Sequence, residues 1–138
     1  MPRLRLIVFL CLCGLVRGVL AGPDYVLVLA SYHPGFAWTD GQLRGLRETL
    51  LRGSPGLQLR VEYLDAKQVR PDKESFRALA GMLAVKHRDG PPRLIVAQDD
   101  DALDLALYLR AGGGRYASQP IVFSGVSASR RKELQALP

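Results

Sequence analysis

The chain has 138 residues, with 19 Lys and Arg, 13 Asp and Glu, and 2 Cys. Residues 1–21 have the pattern of a secretory signal peptide: Arg3 and Arg5 at the start, an apolar run over 4–16, and Val19-Leu20-Ala21 before the cleavage point. The run is shorter than the roughly 18 to 20 residues that span a bilayer, and Arg17 interrupts its end, so cleavage is expected over retention as an anchor. Leu10 and Leu12, not small residues, precede Cys11 and Cys13, which excludes a lipoprotein pattern.

Both cysteines fall inside this segment, so the mature chain over 22–138 has none. That suits an oxidising compartment and excludes a disulfide scaffold or a thiolate metal site. Without Arg3, Arg5 and Arg17, the 19 basic residues become 16 against 13 acidic ones, and the net charge falls from +6 to +3. The basic residues are interspersed with Asp and Glu and do not cluster with aromatics, which argues against nucleic acid as a partner. The expected location is outside the cytoplasm. A mature part of this length supports one core but not two domains.

Short apolar, β-branched runs alternate with longer stretches of helical period, the pattern of parallel strands joined by crossover helices. The first strand is expected over 25–31, where Val26-Leu27-Val28-Leu29 is apolar at successive positions, as in a strand covered on both faces. Thr39-Asp40-Gly41-Gln42 then fits a capping box at a helix start, with Leu43, Leu46 and Leu50 as the buried stripe and Gly53 and Pro55 at the end. The second strand, over 57–64, alternates enough to be an edge. Asp72 caps the next helix, which runs to about residue 88 and buries Phe76, Leu79, Ala80 and Leu83. His87, near its C-terminus, reads as a charge that compensates the helix dipole.

The third strand, over 93–97, leads through Gln98-Asp99-Asp100-Asp101 into a helix that ends at Gly112-Gly113-Gly114. One of the three carboxylates is expected to cap that helix. Pro120-Ile121-Val122-Phe123 is the fourth strand, and a fourth helix begins near Ser129. Four such units predict an α/β fold with a doubly wound parallel sheet of order 2-1-3-4. Ligands of such sheets bind beyond the carboxyl ends of the strands, at the switch point between the first and third strands.

The segments at that end are 31–38, 98–101 and 124–126. The first concentrates Tyr32, His33, Phe36 and Trp38 with Ser31 and Thr39. Aromatic faces there offer contact area and a cation–π surface, and the hydroxyls offer orienting hydrogen bonds. Three consecutive Asp cannot all face one ion, so no metal site is expected, and an acidic group receiving a ligand amine or hydroxyl is the better reading. Asp65 and Lys67 either pair with each other at the surface or reach the rim of the crevice. Gly112-Gly113-Gly114-Arg115 lacks the Lys-Ser/Thr of a phosphate loop and follows a helix. Ser124-Gly125 lacks the Gly-x-Ser-x-Gly elbow of an α/β-hydrolase. No nucleophile, base and orienting acid assemble, so neither an enzyme nor a cofactor is expected.

Four ordered segments carry a family resemblance: Val-Leu-Ala-Ser-Tyr-His-Pro-Gly-Phe-Ala-Trp-Thr-Asp over 28–40, Val-Glu-Tyr-Leu-Asp-Ala-Lys over 61–67, Gln-Asp-Asp-Asp-Ala-Leu-Asp over 98–104 and Pro-Ile-Val-Phe-Ser-Gly-Val over 120–126. Together they resemble the periplasmic ligand-binding domains related to ABC-transporter substrate-binding proteins, often the sensor inputs of bacterial membrane signalling proteins. The resemblance implies a periplasmic location and a type I periplasmic-binding fold of two α/β lobes, of which this chain supplies the N-terminal one. It also implies a small-molecule ligand faced by Ser31, Tyr32, Trp38, Thr39, Asp99, Asp100, Ser124 and Gly125. The implied partners are a missing second lobe or a downstream membrane signalling module, or a transporter permease if the protein is a free solute-binding protein. An exported enzyme using Ser124 or the Asp cluster is the remaining alternative.

Overall fold

The computed structural model describes residues 24–135; the segment 1–21, expected to be a signal peptide, lies outside them. Strand β1, Tyr25–Ala30, leads into helix α1, Ala37–Gly53; β2, Gln58–Tyr63, leads into α2, Lys73–Lys86. Strand β3, Leu94–Gln98, is followed by α3, Asp100–Ala111, and a 3-10 turn, Gly114–Tyr116. Strand β4, Ile121–Ser124, and α4, Ala128–Gln135, complete the order. The sheet is wholly parallel, in the order β2-β1-β3-β4 expected from the sequence. Among the described residues, no helix is long and apolar enough to cross a membrane.

Every residue of β1 is buried, because helices cover both its faces. Tyr25, Leu27 and Leu29 join Ile95 and Ala97 under α2 and α3, where Leu83, Leu103, Leu105, Ala106 and Leu109 complete the larger core. Val26, Val28 and Val96 face α1 and pack on Leu43, with Leu46 and Leu50 beside them. The alternation along each strand thus sorts one apolar run into two cores. Strand β2 is half-buried throughout except at its exposed start, as its edge position requires.

Three local expectations are corrected. Helix α1 begins at Ala37, with Phe36 at its N-cap and no side-chain cap, so no capping box forms at Thr39. Thr39 sits inside the first turn with 1% exposure, and Asp40 reaches back to accept the Gly35 N–H at 3.2 Å. The start shifts upstream because packing on the sheet claims Thr39, and the side chain of Gln42 is engaged across the crevice.

No Asp carboxylate caps α3 either. Its Ala102 N–H is received by Ser31 Oγ at 2.9 Å, and the same hydroxyl donates to the Gln98 carbonyl at 2.8 Å. Ser31 therefore joins the end of β1 to the end of β3 and the start of α3.

His87 does not act as an exposed cation. It is 2% exposed, stacks on Tyr25 at 5.4 Å, and lies 3.3 Å from Glu62 Oε1. Burial pushes its pKa below the ordinary 6.5, although the Glu62 charge pulls the other way. Asp72, in contrast, caps α2 as expected, accepting the Ser75 N–H at 2.8 Å.

Two outcomes follow. Ser31→Ala leaves the Ala102 N–H buried without its acceptor and should destabilise the fold by about 1–3 kcal/mol, read as a lower urea midpoint at unchanged slope. For His87 the unfolded chain binds a proton that the folded chain resists, so its contribution is complete above the ordinary His value and is lost as pH falls below it. Urea midpoints should drop as the pH falls below about 6.5, and His87→Gln should flatten that slope.

Candidate functional site

The carboxyl ends of all four strands lie along one edge of the sheet, and the connections leaving them border the crevice at the switch point between β1 and β3. Asp99 is the hinge of the arrangement. Its N–H donates to the Ser124 carbonyl at 2.9 Å, which ties the exit of β3 to the end of β4. The backbone pays for this with φ 71° and ψ 177°, a conformation that only glycine adopts without strain. Its side chain is turned back over the crevice, where Trp38 Nε1 donates to Oδ1 at 2.9 Å and Gln42 Nε2 to Oδ2 at 3.5 Å. Gln42 in turn accepts the Ser124 hydroxyl at 2.5 Å.

Gly125 has φ 71°, and a Cβ there would overlap Asp99 Oδ1. Glycine is thus required both for the backbone turn and for the close approach of the carboxylate. Asp99 is only 6% exposed, while Trp38, bonded to it, is 54% exposed. A large aromatic face is therefore presented to solvent and held in place by a buried acid. Burial pushes the Asp99 pKa above the ordinary carboxylate value, opposed by the Trp38 and Gln42 hydrogen bonds.

The other wall is aromatic. Tyr32 and Phe36 meet edge to face at 5.0 Å and 71°, and His33 lies 5.7 Å from Phe36. Lys67, from the connection after β2, holds its ammonium 4.6 Å from the Tyr32 ring centre and 5.4 Å from that of Phe36. Asp65 pairs with His33 Nδ1 at 3.3 Å and not with Lys67, so the expected alternatives for these two residues resolve as separate contacts. Burial raises the Tyr32 pKa, and the charges of Asp99, Asp101 and Asp100 raise it further.

Of the residues expected at the site, Trp38, Asp99, Ser124 and Gly125 come together, with Tyr32 on the facing wall. Ser31 and Thr39 are buried and support the crevice from beneath. Asp100 accepts the Ser127 N–H at 2.9 Å, fixing the turn after β4. The sequence reading missed Gln42, which bridges Asp99 and Ser124. Its spacing of four from Trp38 on one helix face was the available signal. Gln98, within the bordering segment 98–101 but outside the residues expected to face the ligand, has its Oε1 buried without a hydrogen-bond partner, as has Thr39 its Oγ1. Gln98, Gln42 and Ser124 form the polar end of a groove of about 360 Å³ along α1, whose remaining lining includes Leu46, Leu50 and Val96. That volume is within the range of small-molecule sites.

Among the described residues, no group of three or more His, Cys, Asp or Glu is placed to hold a metal ion. No protein-family model, curated protein or solved structure matches this chain.

Asp99→Gly tests whether the site is held against the stability of the fold. The substitution relieves about 1–3 kcal/mol of backbone strain and removes a buried carboxylate, against about 0.5–1.5 kcal/mol for each lost hydrogen bond. The urea midpoint should hold or rise while Trp38 emission shifts; a large fall in midpoint would show that the carboxylate stabilises the fold.

Proposed function

We propose that this chain binds a small polar or aromatic molecule outside the cytoplasm, as the input module of a bacterial signalling protein. The observation that carries the binding reading is the Trp38–Asp99 pair: an exposed indole fixed to a buried acid whose backbone occupies a strained conformation. Strain of this kind persists where surrounding structure over-determines it, and such places are concentrated at ligand sites. The pair lies at the switch point of the sheet, the position at which parallel α/β sheets take their ligands. The exported location rests on the signal-like segment over 1–21, and the signalling role on the resemblance of the four segments to periplasmic sensor domains. The same resemblance assigns the face that would close over both walls of the crevice to a second lobe.

Thermal denaturation in the presence of a panel of small polar and aromatic metabolites tests the binding reading. A ligand that binds only the folded chain stabilises it by about 2.7 kcal/mol at one hundred times its Kd, an easily measured rise in Tm. The rise should vanish in Trp38→Ala and Asp99→Ala variants that retain their far-ultraviolet circular dichroism. Equal stabilisation of both variants would move the site away from the crevice.

A further inference from the structure

We infer that the crevice takes an organic ammonium ion, and that Lys67 is its internal stand-in over Tyr32 and Phe36. The inference rests on the reading of the crevice as a small-molecule site and names the ligand's charge and shape.

Lys67 comes from a different connection than the two rings, so its position over them does not follow from chain proximity. Its ammonium lies within the 6 Å reach of a cation–π contact to both ring centres. The rings form an edge-to-face pair, which offers a cation two differently inclined surfaces. Among the described residues, no carboxylate lies within ion-pair distance of Lys67, since Asp65 is directed to His33. What holds the ammonium is therefore the aromatic pair together with the more distant field of the acids after β3.

That field favours positive charge. Asp99, Asp100 and Asp101 stand in succession at the crevice, and the Lys67 charge is near enough to favour the ionised form of Asp99. The exposed Trp38 face adds a further aromatic surface for the body of a ligand. Paired aromatic faces with acids nearby are the chemistry that recognises alkylammonium groups.

Lysine is a replaceable occupant. Lys67 is exposed on a connection, and its long side chain loses rotamer freedom while it stays over the rings. A ligand ammonium joined to an apolar body makes the same cation–π contact and adds contact with Trp38. Its binding releases Lys67, so the connection between β2 and α2 reports occupancy of the crevice.

The full chain contains a single tryptophan, Trp38, so indole emission reads the crevice directly. Three probes of similar size separate the possibilities: phenethylammonium, neutral 2-phenylethanol and phenylacetate. The expected result is a saturable emission change with phenethylammonium that weakens in Tyr32→Leu. Lys67→Met, which removes the internal competitor but keeps an apolar stem, should tighten phenethylammonium by about two- to thirtyfold, the range of one cation–π contact. Unchanged or weaker phenethylammonium binding by Lys67→Met overturns the stand-in role. Preferential binding of phenylacetate, lost in Lys67→Met, makes Lys67 an anion receptor and overturns the ammonium assignment while leaving the crevice a binding site. Preference for 2-phenylethanol also overturns that assignment. No response to any probe from folded protein overturns the ammonium assignment and counts against the crevice as a small-molecule site.

Discussion

Strand β1 is hydrogen-bonded on both edges and covered on both faces, and the rest of the molecule is arranged around that burial. Its side chains meet no water, so every position from Tyr25 to Ala30 must be apolar or carry its own hydrogen-bond partner. Tyr25 satisfies the condition by donating its hydroxyl to the Gly90 carbonyl at 3.0 Å. Parallel neighbours on both sides also force the connections apart. The chain leaves β1 toward β2 on one face and leaves β3 toward β4 on the other. A crevice opens where they diverge. Ser31 stands at that point and satisfies groups from both sides with one hydroxyl.

The two ends of the sheet have different chemistry. At the amino end of β1, polar groups close the structure. Arg60 lies 4.1 Å over the Tyr25 ring, His87 stacks on the same ring, and Lys86 approaches Glu62 at 2.6 Å. Tyr116 adds its hydroxyl to the Leu83 carbonyl at 3.2 Å, and burial pushes its pKa up to about 12. These interactions join β2, α2 and the 3-10 turn to the central strand. At the carboxyl end, aromatic surface remains accessible beside carboxylates that are buried or half-buried. Asp99 holds a strained backbone there and a carboxyl group that burial disfavours in its charged form. Polar closing contacts thus gather at one end of the sheet, and the exposed indole with its buried acid stands at the other.

Much of the architecture is legible before any coordinates. The apolar run at 26–29 identifies a two-faced strand, Asp72 marks a helix start, and the alternating units give the sheet order. These features are legible because they depend on local periodicity and on general rules of connection. The capping arrangements at Thr39 and Asp99 are not legible in the same way. A hydroxyl or carboxylate next to a helix start suits a local cap, yet Ser31 supplies the cap of α3 from 71 positions away in sequence. His87 illustrates the same limit: its place at a helix terminus suggests a cation, and burial against Tyr25 makes it a reluctant one.

The sequence by itself determined the fold class, the strand order and the three segments that border the crevice, because hydrophobic period and chain connectivity suffice for those. Tertiary structure alone decided which side chains share the site. It brought Gln42 to Ser124, Trp38 to Asp99, and Lys67 to Tyr32 and Phe36. It also withdrew Ser31 and Thr39 into the support beneath. The physical reason is that these contacts join separate connections across the sheet. Their partners are set by packing of the helices and by the paths of the turns, neither of which leaves a periodic trace along the chain.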